Sequence, residues 1–170
     1  MELLVIRHAI AGDREEWAKS GQSDDLRPVT AEGARKMRRG AAGLASVHPT
    51  LDVLAASPLL RAAQTAAIVA RAYDGITVET VESLAPSGKR SAVLHWLRGR
   101  GDASTVAIVG HEPSLGQLAT WLLTGVVDSR IELKKGAACL IRFDRKPAAG
   151  GGMLVWSLSP AQLRQLGRRA

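Results

Sequence analysis

A chain of 170 residues that is 46 % hydrophobic is long enough to bury a sizeable core and reads as one ordinary globular domain spanning residues 1–170. Its 23 Lys and Arg against 16 Asp and Glu leave a net charge of +7, which suits nucleic acid, an acidic protein or a small anion as partner. The basic residues are scattered without a nucleic-acid motif or interleaved aromatics, no apolar run is long enough to span a bilayer, and no basic leader precedes the first apolar stretch, so nucleic acid, membrane and secretion are set aside. The single Cys139 has no partner for an internal disulfide, which agrees with a reducing compartment and makes the cytoplasm the expected location.

The first element is a strand. Leu3-Leu4-Val5-Ile6 is a continuous apolar run of the kind buried on both faces of a sheet, and it ends in Arg7-His8. Side chains alternate along a strand, so Arg7 and His8 can face one ligand only if the chain turns out of the sheet there. Residues 11–29 form a long polar stretch, read as a loop that acts as a wall or lid beside that turn. Arg27 lies in it, free to point back at a ligand. Thr30 then caps a helix to about Val47, with Ala34, Met37, Ala41, Leu44 and Val47 on one face.

A second strand, residues 51–56, runs into Ser57-Pro58, read as the cap and first position of a helix to about Tyr73. Arg61 falls in the first turn of that helix, where a cation opposes the helix dipole and needs an anion nearby to justify it. Residues 76–81 are a short or edge strand, and Lys89 to Leu97 a helix. Thr105 to Val109 is a buried strand followed by Gly110-His111-Glu112-Pro113, with a helix from Ser114 to Leu123. Ala137 to Phe143 and Met153 to Leu158 are strands around a Gly-rich turn, and Pro160 to Gly167 is a terminal helix. Cys139 falls within the first of these strands as a core residue.

Strands alternating with helices predict an α/β three-layer sandwich, a mostly parallel central sheet with helices on both faces. In such a sheet the strand ends at residues 6, 56 and 109 open on one side, so Arg7, His8, Arg61 and His111 can converge there. Two histidines among arginines, with no cluster of Cys or Asp, argue against a metal site, because arginine repels a cation. They suit a phosphoryl group, whose oxygens need positive donors in the transition state.

Arg7-His8 after the first strand, Ser57-Pro58-x-x-Arg61-x-x-x-Thr65 at a strand–helix junction and Gly110-His111 after a later strand resemble the histidine phosphatase superfamily, the phosphoglycerate mutase-like fold. The short length, the Arg-His-Ala opening, Arg27-Pro28-Val29-Thr30 and Leu158-Ser159-Pro160 are similar to its SixA-type protein phosphohistidine phosphatase branch, over nearly the whole chain. The resemblance implies that His8 is the nucleophile of a covalent phosphohistidine relay. Arg7, Arg27 and Arg61 would then hold the phosphoryl oxygens and His111 would donate to one of them, with no metal or cofactor. It implies as partner a phosphorylated protein, such as a histidine phosphotransfer domain, or a small anionic phosphate compound. Phosphoester, polyphosphate or nucleotide hydrolysis stands as the alternative, with a non-catalytic phosphate-binding module ranked below it. Where the branch pattern Glu-Leu-x-Pro places an acid, this chain has Ser83, with Glu82 one residue early; Glu82 is the candidate general acid, and an extended backbone there would turn it to the opposite face. Without an acid, alkoxide leaving groups suffer more than the imidazole of a phosphohistidine.

Overall fold

The computed structural model describes residues 1–129 and 131–168. In chain order the strands are β1 (Glu2–Arg7), β2 (Val53–Ala56), β3 (Val78–Thr80), β4 (Thr105–Gly110), β5 (Ala138–Arg142) and β6 (Met153–Leu158). The α-helices are α1 (Arg14–Ala18), α2 (Ala31–Val47), α3 (Leu60–Arg71), α4 (Arg90–Arg98), α5 (Ser114–Thr124) and α6 (Pro160–Leu166), with 3₁₀ turns at Asp24–Leu26 and Glu82–Leu84. Among the described residues one six-stranded sheet runs in the order β3-β2-β4-β1-β5-β6. Its first four strands are parallel, whereas β5 is antiparallel to both β1 and β6. This is the α/β sandwich expected from the alternation of strands and helices, with a mostly parallel sheet.

The alternation along β1 sorts the core into two layers. Leu3 and Val5 face α4 and α5, where Leu94, Leu97, Leu115, Leu118 and Leu122 close over them. Leu4 and Ile6 face α2, α3 and α6 through Met37, Leu44, Ala66, Val69 and Leu163. All four of these β1 side chains are buried, because both faces of a parallel sheet are covered.

Two helices start where the sequence places them. Thr30 Oγ1 accepts the Gly33 N–H at 2.9 Å, and Ser159 with Gln162 forms a capping box on α6. Two expectations need correction. The helix read from Pro58 begins at Leu60, so its N-cap position falls on Leu59, whose apolar side chain cannot accept a backbone N–H. Residues 11–29 are also more ordered than a plain loop: Asp13 caps α1, Ser23 caps the 3₁₀ turn, and Ala11 bridges to Val29.

Helices α2 and α6 touch backbone to backbone. A Cβ on Gly43 would lie 1.9 Å from the Leu163 carbonyl oxygen, whereas one on Gly40 would meet only Leu163 Cβ at 3.9 Å. Gly43→Ala is therefore expected to cost about 1–3 kcal/mol by forcing the helices apart. Gly40→Ala should gain up to about 1 kcal/mol from helix propensity. Chemical denaturation of the two variants beside the parent checks the opposite signs.

Candidate active site

β1, β2 and β4 are parallel neighbours, so their carboxyl ends open on one edge, and the register places Arg7 opposite Gly110 and Ala56 opposite Val109. The chain leaves the sheet just after Arg7, and the His8 N–H still donates to the Gly110 carbonyl at 3.0 Å. Beyond these strand ends the His8 and His111 rings meet, with centroids 5.1 Å apart. Thr65 ties the turn to α3, since its hydroxyl donates to the Arg61 carbonyl at 2.6 Å and accepts the Ala9 N–H at 2.9 Å.

The orientation of His8 follows from one bond. Its Nδ1 lies 2.7 Å from the Ala9 carbonyl oxygen, and a carbonyl only accepts, so Nδ1 carries the ring proton. In the neutral ring the lone pair is then on Nε2. Burial, followed by the positive charges of Arg61, Arg7 and Lys135, pushes the His8 pKa down from 6.5 to about 4, against the opposing pull of the Ala9 carbonyl. The His111 pKa is pushed down to about 3, first by burial and then by His8 and Arg61.

His111 Nε2 lies 2.8 Å from Ser57 Oγ, and Ser57 Oγ also accepts the Leu59 N–H at 3.3 Å. A hydroxyl can donate to this nitrogen or accept from it; when Ser57 donates, the proton of the neutral ring lies on Nδ1. That nitrogen is buried and has no partner. In that tautomer the orphaned Nδ1–H suits an anionic oxygen.

Arg61 and Arg27 are both buried, and a carboxylate absent from the sequence reading joins them. Asp24 accepts from Arg27 Nε at 2.7 Å and contacts Arg61 Nη2 at 3.1 Å, while Arg61 Nη1 donates to the Asp24 carbonyl. Arg27 Nη1 donates to the Gly12 carbonyl. Arg27 is thus not a free arm but the anchor of the loop. The bond from Arg27, ahead of the charge of Arg61, holds the Asp24 carboxyl below its usual range and keeps it ionised. The i, i+3 spacing of Asp24 and Arg27 was the available sequence signal.

Arg7 belongs to the same edge through a different support. Its Nη1 donates to the Leu133 carbonyl at 2.6 Å, and its Nε is buried without a partner. Leu133 is held by Glu112, whose carboxylate accepts the N–H groups of Leu133 and Gly116. Glu112, missed in the sequence, thereby connects the His111 turn to the segment that supports Arg7.

Glu82 stands apart in character. It is exposed, on the 3₁₀ turn Glu82–Leu84 rather than in the extended segment the sequence suggests. The expected face reversal fails for that reason, since successive side chains of a 3₁₀ turn are about 120° apart. Close packing shapes the turn: a Cβ on Gly88 would lie 2.0 Å from the Ser83 carbonyl oxygen. Cys139 is buried in β5, and burial pushes its thiol up to about 12. Among the described residues no three His, Cys, Asp or Glu side chains gather as a metal-binding group, and no helix is long and apolar enough to cross a membrane.

Comparison with known proteins agrees with this arrangement. The profile of the histidine phosphatase superfamily (branch 1) matches residues 3–87, and the chain belongs to that family. Within it the chain is of the SixA type. It is 29 % identical over 168 residues to phosphohistidine phosphatase SixA of Escherichia coli strain K12, covering 96 % of this chain and 97 % of that protein. The solved structure of the protein histidine phosphatase SixA complexed with tungstate superposes with a TM-score of 0.82 at 26 % identity, covering 96 % and 99 % of the two chains. An uncharacterized protein of Picosynechococcus is 37 % identical over 145 residues, 84 % of this chain and 85 % of that one. The protein is accordingly a phosphatase of this superfamily.

The low histidine pKa values have a direct consequence. For a substrate that does not itself titrate in the range, the acid limb of kcat/KM should fall near pH 4; a limb near 6.5 would contradict the buried neutral His8. Both histidines bind protons more weakly folded than unfolded, so stability should decline as pH drops from about 6.5 toward 4, when the unfolded chain alone takes protons. Denaturant midpoints measured across that interval check the second effect.

Proposed function

We propose that this protein hydrolyses phosphohistidine on a signalling or phosphotransfer protein in the cytoplasm, through a phosphohistidine formed on His8. The observation that carries the reading is the Ala9 carbonyl bond, which leaves His8 Nε2 with an unprotonated lone pair beside His111. Tungstate, found in the SixA structure named above, is a tetrahedral oxyanion like phosphate, and this supports a phosphoryl group as the ligand.

In the proposed reaction the Nε2 lone pair attacks phosphorus. The new N–P bond forms as the P–N bond to the substrate imidazole breaks. A substrate phosphohistidine protonated on its other ring nitrogen leaves as neutral imidazole, so the enzyme need supply no acid. Arg7 and Arg61 neutralise the phosphoryl oxygens, Arg27 supports them through Asp24 and by its own charge, and His111 Nδ1–H donates to an oxygen as negative charge develops. Water then attacks phosphorus, the bond to His8 breaks, and inorganic phosphate departs with the water proton passing to solvent. An alkyl phosphate would in addition need a proton donor for its alkoxide, a demand that a phosphohistidine does not make. The buried, free Cys139 supports a reducing location.

The test compares phosphate release from a phosphohistidine peptide and from p-nitrophenyl phosphate, with His8→Ala beside the parent. We expect higher kcat/KM on the peptide and a loss of about 10⁴-fold or more in the variant. Preference for the ester would transfer the function to small phosphate compounds. Binding of phosphate by a parent that turns over neither substrate would reduce the protein to a binding module.

A further inference from the structure

An open groove of about 490 Å³ runs away from Arg7, and its charged lining is of one sign: Arg7, Lys36, Lys134, Lys135 and Arg164. It lies between α2, the turn before β5 and the start of α6, elements otherwise occupied with packing. No carboxylate lines it. Lys36 is paired with Glu32 at 2.6 Å, but Lys134, Lys135 and Arg164 have no carboxylate partner among the described residues. Lys135 is close enough to contribute to the depression of the His8 pKa, so the groove and the catalytic edge share one electrostatic field.

Like charges gathered without counter-ions oppose one another, and the packing of α6 on α2 does not require them. An external anion removes the conflict. The form of the groove restricts which anion. Lys134 and Lys135 are exposed, the lining holds no aromatic side chain, and its only apolar side chains are Ile10, Pro160 and Ala161, so a small molecule would find few fixed groups to enclose it. Lysine ammonium groups on flexible stems act as point charges over a broad area, a means of gathering a charged surface rather than fixing a single ligand. We propose that this groove docks an Asp/Glu-rich surface beside the phosphohistidine of the substrate protein. The inference rests on the phosphoprotein reading above, and it adds where the rest of that protein sits. Docking there places the acidic surface against Lys134 and Arg164 while its phosphoryl group reaches Arg7 and His8.

The experiment uses two phosphohistidine peptides, one with Asp/Glu flanks and one with neutral flanks, and the double variant Lys134→Glu/Arg164→Glu. The parent should favour the acidic peptide by about tenfold or more in kcat/KM, mainly through KM, and lose the preference at high salt. The variant should lose it at any salt, with a far smaller loss on the neutral peptide and on p-nitrophenyl phosphate than on the acidic peptide. Equal rates of the parent on both peptides, or a preference that survives in the variant, would overturn the proposal. An equal loss on p-nitrophenyl phosphate would also do so, by assigning these residues to the cradle. Fluorescence anisotropy of a labelled, unphosphorylated acidic peptide separates this inference from the substrate reading. Binding lost in the variant supports the groove even if neither phosphopeptide is turned over. Equal or absent binding, or tighter binding of a single-stranded oligonucleotide, refutes it.

Discussion

The site depends on one hydrogen bond, from His8 Nδ1 to the carbonyl of the next residue. An imidazole that donates from Nδ1 and stays neutral has only Nε2 left as a nucleophile. Burial secures the neutrality, and the surrounding guanidinium groups reinforce it, because each makes a further positive charge on the ring costly. The features that would bind a phosphoryl group therefore also keep the attacking nitrogen unprotonated.

The cradle needs the fold to hold like charges together. Arg27 and Arg61 are brought to one place by the Asp24 carboxylate, and Asp24 is placed by a 3₁₀ turn that Ser23 caps. Arg7 is steadied from the opposite side by Leu133, itself fastened by Glu112. Each cation thus has an oxygen partner before any substrate arrives, and preorganised charges of this kind need little rearrangement during the reaction. Ser57 illustrates the same economy: its oxygen accepts the Leu59 N–H at the entry to α3 and also holds the His111 ring.

Much of this is legible from residue pattern. The apolar run of β1, the Thr30 cap and the placement of His8, Arg61 and His111 after parallel strands follow from periodicity and from where strands end. What escapes is long-range or tertiary in origin. Nothing local distinguishes Ser57 as a ligand of His111 from Ser57 as a cap, because both uses suit a serine before Pro58. Asp24 and Glu112 look like ordinary surface acids until the fold brings Arg61 and Leu133 to them. The backbone at Glu82 reads as extended in the sequence because the tight turn is set by Gly88 against Ser83, a contact that single-residue preferences do not express.

The measurement that bears most directly on the account is to trap the phosphoenzyme by rapid alkaline quench during turnover of a phosphohistidine substrate and to locate the label by mass spectrometry. The account predicts an acid-labile, alkali-stable phosphoryl group on His8, bonded at Nε2. Turnover at full rate with no label on His8, or with the label on another residue, would contradict it.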